Sequence, residues 1–112
     1  MVPYVYKAVC TNVVDGDTID CVIDVGFHLT TTQRLRLIGI DTPEHDEPGY
    51  REATEFTASC ILGREIYIET YKTDAFGRYL ADVYFYDEKG NERHLNQLLL
   101  EKGLAKVFTK RD

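Results

Sequence analysis

Three short clusters in this chain carry residue types able to act on a phosphate ester. They are Asp15-Gly16-Asp17-Thr18, the stretch from Arg36 to Asp41-Thr42-Pro43-Glu44, and Asp74-Ala75-Phe76-Gly77-Arg78. Asp17 and Asp41 offer carboxylates, which hard cations such as calcium prefer, and calcium tolerates irregular, hydrated geometry. Two carboxylates brought together repel unless a cation or a proton separates them. Arg36 and Arg78 carry fixed charge and grip phosphate oxygens through two parallel hydrogen bonds, which lysine does poorly. Such groups suit charge that builds on phosphoryl oxygens in a transition state. Glu44, three residues after Asp41, is placed to orient or deprotonate a water beside the cation.

Each cluster also has a plain structural use. The first suits a turn, the second ends a strand and opens a helix, and a lone arginine commonly pairs with a surface acid. Only the whole set points to phosphodiester chemistry: two metal carboxylates, a water-handling glutamate and two arginines.

The elements that must position this set are mostly strands. Residues 4–14 and 17–27 are rich in β-branched and aromatic types, and Asp15-Gly16 between them is a strong two-residue hairpin signal. A third strand spans 33–40, where Leu35 and Leu37 alternate with Arg34 and Arg36, so one face is apolar and the other basic. Residues 49–62 read as a helix, with Tyr50, Ala53, Thr57, Cys60 and Ile61 on one stripe and Gly63 able to end it. Strands follow at 65–71 and 78–86, with a turn at 72–77 between them. A second helix is expected at 94–102, and a short extended tail at 104–108. A mainly β chain with five strands and a helix between the third and fourth fits a five-stranded Greek-key barrel of the OB type.

The 112 residues, 44% apolar and 29% charged, fit one domain, 1–112, with one core. A net charge of -6, from 19 acids against 13 bases, suits a nucleic-acid binder with a basic face poorly. It is compatible with a site that bridges carboxylates to phosphates through a divalent cation. Cys10, Cys21 and Cys60 contain no C-x-x-C pair, which argues against zinc, and the odd count suggests free thiols. If Asp15-Gly16 makes the turn, Cys10 faces Cys21. No run approaches the roughly 18 apolar residues of a membrane span. The start lacks a basic-then-apolar leader, so a cytoplasmic location and no membrane partner are expected.

Residues 14–18, 36–44, 74–78 and 103–107 together resemble the staphylococcal nuclease, or thermonuclease, family, in the family's order and with similar spacing. The resemblance covers about residues 5–108. It implies an OB-fold barrel with a single calcium ion held by Asp17, Asp41 and the backbone carbonyl of Thr42, with Asp15 as a nearby outer acid. It implies Glu44 as general base, Arg36 and Arg78 as phosphate-binding groups, and further substrate contacts from Lys72, Phe76 and Lys106. The implied substrates are DNA and RNA, cut with little sequence preference to leave 3′-phosphates.

Some positions depart from the family. Ala75 and Phe76 stand where the family has a lysine-tyrosine pair, so stacking on a base is retained without the hydroxyl. Thr109 and Arg111 replace two tyrosines, which weakens the expected stacking further. The segment after Glu44 is short and acidic, with Asp46 and Glu47, and the family's third helix is not expected. The competing readings are a noncatalytic member of the fold that binds nucleic acid or protein, and a generic metal-free OB-fold binder. Self-association is left open.

Overall fold

The computed structural model describes residues 4–108. The chain runs β1 (Tyr4–Asp15), β2 (Thr18–Gly26), β3 (Leu29–Leu37), the two-residue β4 (Ile40–Asp41), α1 (Tyr50–Ile61), β5 (Glu65–Thr73), β6 (Tyr79–Tyr86), β7 (Glu92–His94), α2 (Leu95–Glu101) and β8 (Lys106–Val107). The main sheet has the order β3-β2-β1-β5-β6-β7, and β3 also pairs with β6, which closes five strands into a barrel. Its antiparallel neighbours are joined by one parallel seam, Leu35 to Leu37 against Tyr79 to Ala81. This is the expected α+β, OB-type barrel with two helices.

Alternation fills the barrel. Leu35 and Leu37 on β3, Ile66 and Ile68 on β5, and Ala81 and Val83 on β6 are fully buried, while the residues between them face outward. Ile61 from α1 and Leu95, Leu98 and Leu99 from α2 join the same cluster. The predicted helix stripe is buried at Ala53, Thr57 and Ile61. No helix among the described residues is long and apolar enough to cross a membrane.

Three local differences from expectation matter for the site. First, the hairpin loop is Gly16-Asp17 rather than Asp15-Gly16, because Asp15 pairs with Thr18. Irregularities between Cys10 and Asn12 and between Val13 and Asp15 absorb the shift, so Cys10 still faces Cys21. Both thiols are free and buried. Hydrogen bonding with Cys10, together with burial, pushes the Cys21 thiol up.

Second, β3 begins at Leu29, four residues earlier than expected, and it stops at Leu37. Gly39, at φ 80°, turns the chain before the separate β4. Third, the expected short extended tail is extended and is also paired as a strand, β8. Val107 pairs with Ile40 and Lys106 with Asp41. The short β7 was not anticipated, since Glu92-Arg93-His94 lacks an apolar alternation.

Candidate active site

The hairpin tip is fixed from behind by α1. Thr57 Oγ1 donates to the Gly16 carbonyl at 2.8 Å, and the Tyr50 hydroxyl donates to the Val14 carbonyl at 3.0 Å. Contact is so close that a Cβ on Gly16 would lie 2.9 Å from the Ala53 Cβ, which is why glycine stands there. Helix α1 thereby seats Asp17 in the interior, where it is only 6% exposed.

Buried carboxylates need partners, and Asp17 has three. Its Oδ1 accepts from the Thr18 hydroxyl at 3.1 Å. Its Oδ2 accepts from the Thr42 amide at 3.2 Å and from Arg36 Nη2 at 3.3 Å. The same Arg36 nitrogen donates to Asp41 Oδ1 and to the Ile40 carbonyl, each at 3.3 Å. Asp17 and Asp41 therefore converge on one guanidinium nitrogen. One NH2 group spread over three acceptors makes only long bonds, beyond the usual 2.9–3.0 Å or so. Arg36 is thus positioned by the two carboxylates without being saturated by them.

Arg78 is held differently. Its Nε and Nη2 both reach Asp74 Oδ2 at 2.8 Å. Asp74 Oδ1 accepts from the amides of Phe76 and Arg78 at 2.8 and 3.0 Å, which folds the turn around the carboxylate. Burial alone would raise the Asp74 pKa, but the two amides and the guanidinium outweigh it and hold the carboxyl below the ordinary range. A lowered folded-state pKa adds stability that is complete above the unfolded value, about 3.9, and is lost as pH falls through the lowered value. Asp74→Asn is expected to remove that part of the acid sensitivity. Urea unfolding at about pH 6 and about pH 3 should show a smaller drop in stability for the variant than for the wild type.

These groups line one open cleft of about 360 Å³, formed by Asp15, Asp17, Thr18, Arg36, Asp41, Glu44, Asp74, Ala75, Phe76, Arg78 and Phe108. Of the residues singled out in the sequence, Asp15, Asp17, Arg36, Asp41, Glu44, Phe76 and Arg78 meet there. Thr42, Lys72 and Lys106 are not part of the lining. Thr42 is buried directly behind Asp17, Lys72 is exposed near the end of β5, and Lys106 pairs with Asp41 through the backbone. Glu44 is exposed at the cleft, and its amide donates to Glu47 Oε1 at 2.7 Å, which fixes the loop that carries it.

Five carboxylates face two guanidinium groups, so a phosphate entering alone would meet net negative charge. Among the described residues no group of three or more Asp, Glu, His or Cys side chains is arranged to hold a metal ion. The two carboxylates of Asp17 and Asp41, which meet at Arg36, are oxygen donors of the kind that suits calcium rather than zinc.

A family model described as Staphylococcal nuclease homologue matches residues 34–112. The chain belongs to the staphylococcal nuclease family. The thermonuclease of Staphylococcus hyicus is 35% identical to it over 110 residues, covering 91% of this chain and 58% of the relative. An uncharacterized endonuclease of Escherichia coli O157:H7 is 32% identical over 96 residues, or 86% of this chain and 57% of the relative. The staphylococcal-like nuclease CAN1 of Arabidopsis thaliana is 33% identical over 72 residues, or 64% of this chain and 21% of the relative. The chain thus spans between 21% and 58% of the length of these three relatives.

One residue of this staphylococcal nuclease domain's cleft, Phe108, was not singled out from sequence. Phe108 lies beneath Arg36, with the guanidinium carbon 4.9 Å from the ring centre. Its position depends on the β4–β8 pairing and on its amide bonding the Gly39 carbonyl at 2.9 Å, neither of which leaves a local sequence signal. Asp74 was named within its cluster, but its role of holding Arg78 was not, and the Asp-x-x-x-Arg spacing was the available clue. Arg78 also stacks on Phe76, at 5.2 Å. Each cleft arginine therefore rests on an aromatic face, a favourable cation–π arrangement. Thr109 and Arg111, considered above for weakened stacking, lie outside the described residues.

Proposed function

We propose that this domain is a calcium-dependent nuclease that hydrolyses phosphodiester bonds of DNA and RNA with little sequence preference, leaving 3′-phosphates. The observation that carries the proposal is the convergence of Asp17, Asp41, Arg36, Arg78 and Glu44 on one cleft. Membership of the staphylococcal nuclease family and the names of the relatives support it.

Asp17, Asp41 and the Thr42 carbonyl would hold the cation. Bound there, calcium would offset the carboxylate charge and polarise the phosphodiester as a Lewis acid. Glu44 orients a water and takes its proton as the water oxygen attacks phosphorus. Arg36 and Arg78 donate to the phosphoryl oxygens as negative charge builds on them. The bond from phosphorus to the 5′-oxygen breaks, and that oxygen, stabilised by a hydrogen bond from Arg78, takes a proton from solvent. Held in place by Asp74 and by Asp17 with Asp41, the two arginines need little reorganisation during the reaction. Phe76, exposed at the mouth, offers a face for an unpaired base.

The test is digestion of denatured DNA with calcium or with chelator, followed by analysis of the product ends. Calcium-dependent cutting to 3′-phosphates is expected. Glu44→Gln should slow it by about 10²- to 10⁴-fold, the usual range for general acid–base catalysis, with the fold unchanged. Binding of DNA without cutting would make the domain a noncatalytic binding module. Cutting by Glu44→Gln at the wild-type rate would remove Glu44 from the mechanism.

A further inference from the structure

From Val25 to Gln33 the chain contains no Asp, Glu, Lys, Arg or Pro. This stretch forms the tip of the β2–β3 hairpin and the first half of β3. Strand β3 pairs with β2 along its length, but with β6 only at Leu35 to Leu37. Among the described residues, 29–34 therefore present one edge without a strand partner. Proteins commonly guard such an edge with lysine, proline or a bulge. Here the first charge is Arg34, already tied to Asp20 at 2.8 Å, and the one irregularity of the β2–β3 pair, between Asp24 and Gly26, lies on β2.

The tip points the same way. Phe27 is 93% exposed and is flanked by Val25 and Leu29, both also exposed. Phe27 and His28 sit at φ 55° and 60°, in the left-handed region that bulky side chains rarely adopt. A large apolar ring is thus kept in water on a backbone that disfavours it, a combination that points to a role. Nearby, where β3 and β6 diverge below Leu35 and Tyr79, a groove of about 190 Å³ opens, lined by Ile23, Val25, Thr31, Leu35 and Tyr79 among others.

We propose that this edge is a self-association surface, on which two copies of the chain pair antiparallel along residues 29–33 and each seats its Phe27 in the other's groove. Pairing centred on Thr31 sets Thr30 opposite the second copy's Thr32 and carries Phe27 toward the second copy's Leu35, at the groove. The arrangement is its own complement about a two-fold axis, as a closed dimer requires. Cross-strand threonine pairs are favourable, and like charges directly opposite are not. Because the edge is uncharged, two chains of net charge -6 meet where their repulsion has no local source. The same neutrality offers an acidic or basic partner nothing to recognise. Thr18 and Arg36 pair at the opposite end of the β2–β3 ladder from Gly26 and Leu29, so the candidate active site stays open in the dimer.

One short strand pair and two phenylalanines make a small interface, with a dissociation constant of about micromolar or weaker. Sedimentation equilibrium of the chain at concentrations up to about 1 mM tests it. The wild type is expected to dimerise. Phe27→Asn, which relieves the left-handed backbone, and Thr32→Lys, which sets like charges near each other across the edge, should each weaken association by about tenfold or more. Thermal melting at low concentration should show both variants folded, with Phe27→Asn no less stable than the wild type. A chain that stays monomeric throughout overturns the proposal. A dimer insensitive to both substitutions overturns it as well.

Discussion

Replacing Arg36 with methionine is expected to lower kcat/KM on denatured DNA by about 10²- to 10³-fold, the cost of removing one preorganised donor from a developing oxyanion. The substitution should also reveal the second task of this side chain. Arg36 is the guanidinium shared by Asp17 and Asp41, and it is mostly buried. Without it the two carboxylates face each other unscreened, and the fold should lose stability in chelator. Calcium binding would then relieve more repulsion, so calcium should raise the melting temperature of Arg36→Met more than that of the wild type. Arg36→Lys separates the two tasks. It restores charge balance, and hence stability, but supplies a single rotating ammonium where the cleft presents a planar fork. Its rate should stay low. Steady-state kinetics beside thermal melts with and without calcium measure both effects, and wild-type rates for Arg36→Lys would reduce Arg36 to a counter-ion.

The second large effect is expected at Asp17. Its carboxylate accepts from Thr18, from the Thr42 amide and from Arg36 in a site closed by α1. Asp17→Ala leaves a buried amide and a guanidinium without that partner, which should cost about 3–5 kcal/mol of stability, the range for breaking a buried ion pair. Cutting and the calcium-dependent rise in melting temperature should disappear together. Asp41 is the informative contrast. Its side chain is 39% exposed against 8% for Asp17. Asp41→Asn should therefore cost about 1 kcal/mol or less while still removing a cation ligand. Urea unfolding of the two variants checks the difference. If Asp17→Ala is as stable as Asp41→Asn, the buried network around Asp17 does not hold the fold together.

The sequence disclosed the parts of this arrangement that depend on local alternation and on special residue types. Leu35 and Leu37 against Arg34 and Arg36 announced which face of β3 is buried, and Gly63 marked the end of α1. The carboxylates and arginines were visible because their types are chemically limited. What stayed hidden depends on pairing over long separations. Phe108 reaches Arg36 only because β8 lies against β4, and two residues of extended chain give no periodic signal. The turn moved from Asp15-Gly16 to Gly16-Asp17 because irregularities in β1 change the count. Bulges are set by the twist of the sheet and by α1 pressing on Gly16, rather than by turn chemistry alone. The unpaired first half of β3 was missed for a related reason, since the expected strand began at residue 33 and left Leu29 to Thr32 in a loop.

On the proposed function, the hairpin tip and β4 together hold one divalent cation beside two arginines. Calorimetric titration of calcium into the wild type and into Asp41→Asn tests this most directly, because that variant should keep its fold. The expected result is one ion per chain for the wild type and no measurable binding for the variant. Absence of binding by the wild type, or equal binding by both proteins, would contradict the account.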